Sequence, residues 1–231
     1  MAETILITGA NRGIGLELTR IFADNNWKVL ASCRKPDAAE ELSNLADTRN
    51  NIDIFSLDVS DDNAITRLAQ GLENEPIDIL FNNAGIFGPR DQDFGATNSG
   101  EWLSVMRTNV VAPMKMAEAF VEQVAASQRR IIASMGSMMG SVADNSSGGY
   151  YLYRSSKAAL GMVVKSLSID LADRGITAVV FHPGWVRTDM GGPQATTLPA
   201  DSAAGFYNIL EKMTIEQTGQ FLTFEGKELP W

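Results

Sequence analysis

Cysteine occurs once in this chain, at Cys33, so no intrachain disulfide can form, and the composition suits a reducing compartment. Histidine also occurs once, at His182, where it ends an apolar strand just before Pro183; a structural role is expected for it. An excess of positive charge is missing as well. Lys and Arg number 19 against 28 Asp and Glu, for a formal charge of −9. Nucleic-acid and anionic-membrane binders present a basic face, so neither partner is expected. No apolar run approaches the roughly 20 residues that span a bilayer. The opening MAETILITGA has no basic segment and enters a strand at once, so it does not read as a signal peptide, and the chain is expected to be cytoplasmic. Internal repeats and low-complexity segments are absent, and no metal site is expected.

What is present is an ordinary globular composition, 45% apolar and 20% charged, over 231 residues. That length suits one α/β domain spanning 1–231. Short apolar runs alternate with helical stretches. Strands are predicted at Thr4–Thr8, Trp27–Ser32, Ile52–Leu57, Ile77–Phe81, Arg130–Ser134, Ile176–Phe181 and Gly219–Phe224. Helices are predicted at Gly13–Asn25, Asp37–Asp47, Asp61–Glu73, Ser99–Ser127, Tyr150–Arg174 and Asp201–Thr218. Asp61 is a predicted N-cap, Gly175 a predicted C-cap and Pro113 a predicted bend. Strands that read as continuous apolar runs between helices imply a parallel sheet covered on both faces. Right-handed crossovers make this a doubly wound Rossmann fold of about seven strands. The Arg187–Pro199 loop is a candidate lid.

The first strand runs into Thr8-Gly9-Ala10-Asn11-Arg12-Gly13-Ile14-Gly15. Glycines let a backbone approach a pyrophosphate, and the helix that follows offers free N–H groups and the positive end of its dipole. An ordinary strand–helix turn also favours glycine, so this motif alone leaves both readings open. An NAD site would place an acid at the end of the second strand to accept from the ribose 2′-OH. Here that strand runs into Cys33-Arg34-Lys35, with no acid before Asp37. Arg34, with Lys35 and Arg12, can instead pair with a 2′-phosphate, which points to NADP(H).

Tyr153-Arg154-Ser155-Ser156-Lys157 places a phenol and an ammonium at i and i+4 on one helix face. A phenol near pKa ~10 is a poor acid–base group at neutral pH, and a neighbouring Lys⁺ is expected to lower it. A surface contact is the plainer reading of such a pair. Of Tyr150, Tyr151 and Tyr153, only Tyr153 has a lysine four residues on. A hydroxyl to hold a substrate carbonyl is expected just past the fifth strand, where Ser134, Ser137 and Ser141 are available and Ser137 is best placed.

Taken together, these residues resemble the short-chain dehydrogenase/reductase family, over nearly the whole chain and in the family's order. Thr8–Gly15 matches its T-G-x-x-x-G-x-G turn, carrying Gly9, Asn11, Arg12, Gly13, Ile14 and Gly15. Asp58, followed by Val59, matches the acid that contacts the adenine. Asn82-Asn83-Ala84-Gly85 matches the N-N-A-G segment beside the adenine ribose. Tyr153–Lys157 matches Y-x-x-x-K, and Ser137-Met138-Met139-Gly140 matches the serine motif. Asn109 matches the asparagine of the long helix. Pro183, Gly184, Val186 and Thr188 match the P-G segment, whose threonine contacts the nicotinamide carboxamide. One departure is the slightly long loop between Ser137 and Tyr153, which holds Asp144–Gly149. The C-factor-like, carbonyl-reductase-like branch is the nearest likeness.

The resemblance implies hydride transfer between NADP(H) and a small carbonyl or alcohol, with catalytic Asn109, Ser137, Tyr153 and Lys157. Tyr153 would act as acid/base, Ser137 would hold the carbonyl oxygen, and Lys157 would tune the phenol and hold the nicotinamide ribose. Asn109 would place a water linking Lys157 to solvent. A homo-oligomer, dimer or tetramer, is implied through the two long helices. The alternatives are a signalling or cofactor-sensing protein with incidental reductase activity, or a scaffold subunit. Met138, Met139, Trp185 and the Arg187–Pro199 loop either line an apolar pocket or, for the methionines, fill core gaps.

Overall fold

The computed structural model describes residues 2–231. The strands are β1 (Thr4–Thr8), β2 (Lys28–Cys33), β3 (Ile52–Ser56), β4 (Ile79–Asn82), β5 (Ile131–Met135), β6 (Thr177–His182) and β7 (Phe221–Thr223). They form one sheet in the order β3-β2-β1-β4-β5-β6-β7, and every neighbouring pair is parallel. Helices α1 (Gly13–Asp24), α2 (Glu40–Asp47), α3 (Asp62–Gly71), α4 (Ser99–Met106), α5 (Ala112–Ala125), α6 (Tyr151–Asp170) and α7 (Pro199–Leu210) flank it.

All five residues of β1 and of β5 are buried, because their side chains meet helices above and below the sheet. Alternate residues supply two cores. Ile5, Ile7, Phe81 and Phe181 pack with Leu18 and Phe22 of α1 and with Phe206 and Leu210 of α7. Leu6, Leu80, Ile132 and Val180 point the other way, onto Met116 and Phe120 of α5 and Leu160 and Val164 of α6. Each such fully buried Leu, Ile or Phe contributes about 1.5–3 kcal/mol, so the two-sided core is the main stabilising term. No described helix is long and apolar enough to cross a membrane.

Several predicted boundaries are corrected. The helix predicted at Asp37–Asp47 is a 3₁₀ turn, Pro36–Ala38, followed by α2 after Ala39. The C-terminal helix stops at Leu210, and Ile215–Gln217 is a separate 3₁₀ turn with its own capping box, Thr214 with Gln217. Pro199 opens α7 and does not end the loop before it, since proline suits a helix's first turn. The long helix predicted at Ser99–Ser127 is interrupted by a π-helical segment, Arg107–Val111, in which Ala112 N–H donates five residues back to the Arg107 carbonyl. Pro113 has no N–H to give the Asn109 carbonyl, so the regular ladder fails at this point. Asp61 caps α3 as expected, but the helix predicted to run to Arg174 stops at Asp170 with Leu171 as its C-cap, and left-handed Gly175 closes a separate 3₁₀ turn, Ala172–Arg174.

The order in which strands are added to the sheet reverses between β1 and β4, so the connections leaving their carboxyl ends run to opposite faces and leave a crevice there.

Candidate active site

The crevice begins at the glycine turn. Gly9 and Gly13 hold positive φ, 66° and 56°, a region that side chains avoid. Gly15 is glycine for another reason: a Cβ there would lie 2.2 Å from the Gly9 carbonyl oxygen and 2.6 Å from Asn83 Nδ2. Across the switch point the turn is pinned by Asn83, whose Nδ2 donates to the Thr8 and Gly9 carbonyls at 2.9 and 3.0 Å. Thr8 Oγ1 accepts in turn from the N–H groups of Asn83 and Ala84, both at 3.0 Å. Helix α1 has neither a side-chain cap nor an acid in its first turn, so its positive end is not neutralised from within the chain. Ile14 is half-buried against one core, and Asn11 is half-buried in the turn. Arg12 is exposed and pairs with Asp189, tying the glycine turn to the loop after β6. Thr188 sits beside the same turn, its Cγ2 3.2 Å from where a Gly13 Cβ would be.

Beyond β2, Arg34 is exposed at the sheet edge. Asp58 lies within its electrostatic reach. The Ser60 hydroxyl and N–H hold the Asp58 carboxyl below its usual pKa, with a smaller contribution from the Arg34 charge. Arg107, in the π segment, donates twice to the Ser60 carbonyl and once to Asp62, fixing the Asp58 turn from below. Val59 is buried beside it. Asn82 is also buried, with its Nδ2 lacking a partner at the end of β4.

Tyr153 and Lys157 reach the crevice from α6. Both are buried. Lys157 Nζ lies 5.7 Å from the centre of the Tyr153 ring and donates to the Met135 carbonyl at 2.7 Å. Gly85 and Gly140 let neighbouring chain approach the lysine: a Gly85 Cβ would lie 3.6 Å from Nζ, and a Gly140 Cβ 2.8 Å from Lys157 Cβ. Ser137 caps the 3₁₀ turn Met138–Gly140, accepting from Met139 N–H at 3.2 Å, and its hydroxyl lies near enough to the Tyr153 phenol to lower the phenol's pKa. The long Asp144–Gly149 loop therefore does not displace Ser137. Arg154 ties that loop down, donating to the Gly148 and Met139 carbonyls and to Ser147 Oγ.

Lys157 was expected to lower the Tyr153 pKa, and here the structure differs. Burial pushes the phenol up to about 12, opposed only by the nearby Ser137 hydroxyl, and burial pushes the Lys157 ammonium down to about 8. Desolvation disfavours both charged forms, and the ammonium spends its hydrogen bond on the Met135 carbonyl.

Asn109 is buried and its side chain is saturated. Nδ2 donates to the Ile86 carbonyl at 2.8 Å and to Ser156 Oγ at 3.0 Å, and Oδ1 accepts from Ile86 N–H at 2.9 Å. It thus clasps the strand-to-loop exit just after Gly85, and makes no direct bond to Lys157. His182 Nδ1 accepts from Met138 N–H at 3.2 Å, holding the residue after Ser137, and burial lowers its pKa to about 4. That geometry supplies the structural role expected of it.

Pro183, Gly184, Val186 and Thr188 line the exit from β6. Gly184 has φ 82° and packs against Thr197 and Phe224. The following loop is held by its own bonds, among them Arg187 N–H to the Thr197 carbonyl and Trp185 Nε1 to the Gly191 carbonyl. Met138 and Trp185 are exposed, so Met138 does not fill a core gap. Two neighbours of Tyr153 escaped sequence reasoning. The Phe87 ring centre lies 4.7 Å from that of Tyr153, and Gln92, wholly buried, bonds to the Tyr153 backbone. Both sit in a loop without periodicity, where no spacing rule could single them out.

A family model described as short chain dehydrogenase matches residues 3–198. C-signal of Myxococcus xanthus is 40% identical over 159 residues, 68% of this chain and 93% of that protein. Among solved structures, the carbonyl reductase Sniffer of D. melanogaster superposes with a TM-score of 0.94 at 36% identity, covering 100% of both chains. An NADPH-bound carbonyl reductase from chicken fatty liver gives 0.92 at 31% identity, covering 100% of this chain and 99% of its own.

Proposed function

The chain belongs to the short-chain dehydrogenase family of oxidoreductases, and from that premise we propose that it is a carbonyl reductase using NADP(H). The observation that carries the reading is the convergence of three side chains just past the carboxyl end of β5: Lys157 Nζ bonds the Met135 carbonyl and stands 5.7 Å from the Tyr153 ring centre, and the Ser137 hydroxyl is near enough to the phenol to lower its pKa. One domain, 1–231, would hold both cofactor and substrate.

The residues present fit a dinucleotide. The glycine turn is a cradle that a Cβ at Gly15 would fill, α1 presents an uncapped positive end, and Arg34, exposed just past β2, is free to pair with a 2′-phosphate. Gly9, Asn11, Arg12, Gly13, Ile14 and Gly15 would hold the pyrophosphate side. Asp58, Val59, Asn83, Ala84 and Gly85 would hold the adenosine side. Pro183, Gly184, Val186 and Thr188, with Tyr153 and Lys157, would hold the nicotinamide side. When bound, NADPH supplies the hydride.

The protein's own work is to hold the substrate oxygen and deliver a proton. Ser137 would donate a hydrogen bond to the carbonyl oxygen, and Tyr153 would give that oxygen its proton as negative charge develops. A phenol pushed up to about 12 is fully protonated at neutral pH, which suits the reductive direction. Lys157 would stabilise the phenolate left behind and hold the ribose hydroxyls. Asn109 would keep the Ile86 turn, and with it the floor of the site, in place. A small aldehyde, ketone or quinone is the substrate class. The reaction would take place in the cytoplasm.

The test is NADPH consumption by the purified protein over a panel of aldehydes, ketones and quinones, compared with Tyr153→Phe. Turnover should fall by about 10²–10⁴ in the variant while NADPH still binds. No turnover across the panel, or equal turnover in the variant, would remove the proposal. Two copies would pair through α4–α5 and α6, whose outer surfaces expose Leu103, Met162 and Ile169; a monomeric mass in solution would exclude this. A signalling role is the second reading, favoured by the likeness to C-signal, and a biological role that survives Tyr153→Phe would support it.

A further inference from the structure

A buried amide side chain is costly unless its polar atoms are all paired. Gln92 is 0% exposed and wholly engaged. Its Nε2 donates to the Pro89 carbonyl at 2.8 Å and to the Phe87 carbonyl at 3.2 Å, and its Oε1 accepts from Tyr153 N–H at 2.8 Å. The Gln92 carbonyl accepts from Tyr151 N–H, and Asp93 Oδ1 accepts from Tyr150 N–H, both at 3.1 Å.

These bonds answer a local deficiency. The first N–H groups of a helix have no intrahelical acceptor. Helix α6 has no side-chain cap of its own, because its N-cap residue, Tyr150, is in the left-handed region at φ 48°. The acceptors come instead from Gln92 and Asp93, 61 residues earlier in the case of Tyr153. Gly149 makes the approach possible: its φ is 65°, and a Cβ there would lie 2.7 Å from Asp93 Oδ1.

We propose that Gln92 is the positioning residue of Tyr153. It holds the tyrosine from two sides, through the backbone N–H in the first turn of α6 and through the carbonyl of Phe87, whose ring flanks the phenol ring at 4.7 Å. The proposal rests on the reading of Tyr153 as proton donor. A displacement of about 1 Å at a reacting group can cost about 10²-fold in rate, so a residue that never touches substrate can govern turnover.

Gln92→Met keeps the side chain's approximate shape and removes all three hydrogen bonds. Its kcat should fall about 10- to 100-fold, and by clearly more than the NADPH affinity, since no Gln92 bond reaches the glycine turn, Arg34 or Asp58 and only the Tyr153 share of the cofactor contacts is disturbed. Gln92→Glu keeps an oxygen for Tyr153 N–H. In mildly acidic buffer, with its carboxyl protonated, it also keeps a donor for Pro89, so it should recover most of the lost kcat and lose it again as the carboxyl ionises. The charged groups around this end of α6 are Lys157, Arg154, Asp93 and Arg90, with His182 behind Ser137. The Glu profile is therefore read against the native protein's over the same range. Native kcat in Gln92→Met overturns the proposal, as does NADPH affinity that falls in step with kcat in both variants. Should Gln92→Met fail to fold, a Gln92→Glu profile superimposable on the native one overturns it. Tyr153→Phe separates the two claims: if it keeps turnover, the proton-donor reading fails; if it loses turnover while Gln92→Met keeps the native kcat, only the positioning role fails.

Discussion

Lys157 and Tyr153 share a face of α6, yet the lysine donates its 2.7 Å hydrogen bond to the Met135 carbonyl at the end of β5 and stands 5.7 Å from the tyrosine ring centre. The helix makes them neighbours, and the sheet decides where the ammonium points. Burial then drives each toward its neutral form, the phenol to about 12 and the ammonium to about 8.

A buried ammonium with one carbonyl partner is a source of instability held in place for function. Lys157→Met should be inactive, yet more stable than the native protein by roughly 1–2 kcal/mol at neutral pH. The sign follows from the depressed pKa. Between about 8 and 10.5 the unfolded chain keeps a proton that the folded chain has released, so native stability rises with pH through that window and the variant's advantage shrinks. Urea midpoints at neutral and alkaline pH measure this. A variant less stable at neutral pH would mean that the Met135 bond outweighs the desolvation.

His182 gives the opposite end of the pH scale. Its folded pKa of about 4 lies below the ordinary 6.5, so its contribution is complete above about 6.5 and is lost as pH falls through about 4. Half-burial limits the loss to about 2 kcal/mol. Gln at position 182 can still accept from Met138 N–H without titrating. His182→Gln should therefore show a shallower fall in thermal midpoint between these pH values; parallel curves would refute the assignment.

Arg34 should sort the two nicotinamide cofactors. A charge-assisted bond to a 2′-phosphate is worth about 1.5–3 kcal/mol, so Arg34→Ala should raise KM for NADPH by about 10- to 100-fold and leave NADH unchanged. Exposure and the adjacent Lys35 favour the lower end of that range. Equal losses with both cofactors would place the 2′-phosphate elsewhere.

Two helical glycines should behave oppositely when replaced by alanine. In Gly15→Ala the new methyl meets the Gly9 carbonyl at 2.2 Å, so the turn must open, costing about 1–3 kcal/mol of stability and most of the NADPH affinity. In Gly71→Ala nothing lies within 4 Å, and the gain should be about 0.4–1 kcal/mol. Calorimetry of both variants checks the pair, and an indifferent Gly15→Ala would contradict the packing described.

The legible parts of the site were those written in short spacings. The glycine turn, the Tyr153–Lys157 pair and the position of Ser137 just past β5 each depend on residues a few places apart. The break at Arg107–Val111 was half legible: Pro113 announced an irregularity, but its form depends on Asn109 being pulled to Ile86. Gln92 left no trace, since its partners lie 61 residues away at Tyr153 and in an irregular loop.

The sequence by itself determined the alternation of strands and helices, the parallel two-faced sheet and the edge at which chemistry collects, because hydrophobic period and turn chemistry act locally along the chain. Tertiary structure decided the aim of Lys157, the neutral state of His182 and the capping of α6 by Gln92 and Asp93. Those outcomes depend on which carbonyls and N–H groups meet in space and on how much water the fold removes around them, and neither is encoded in any interval between residues.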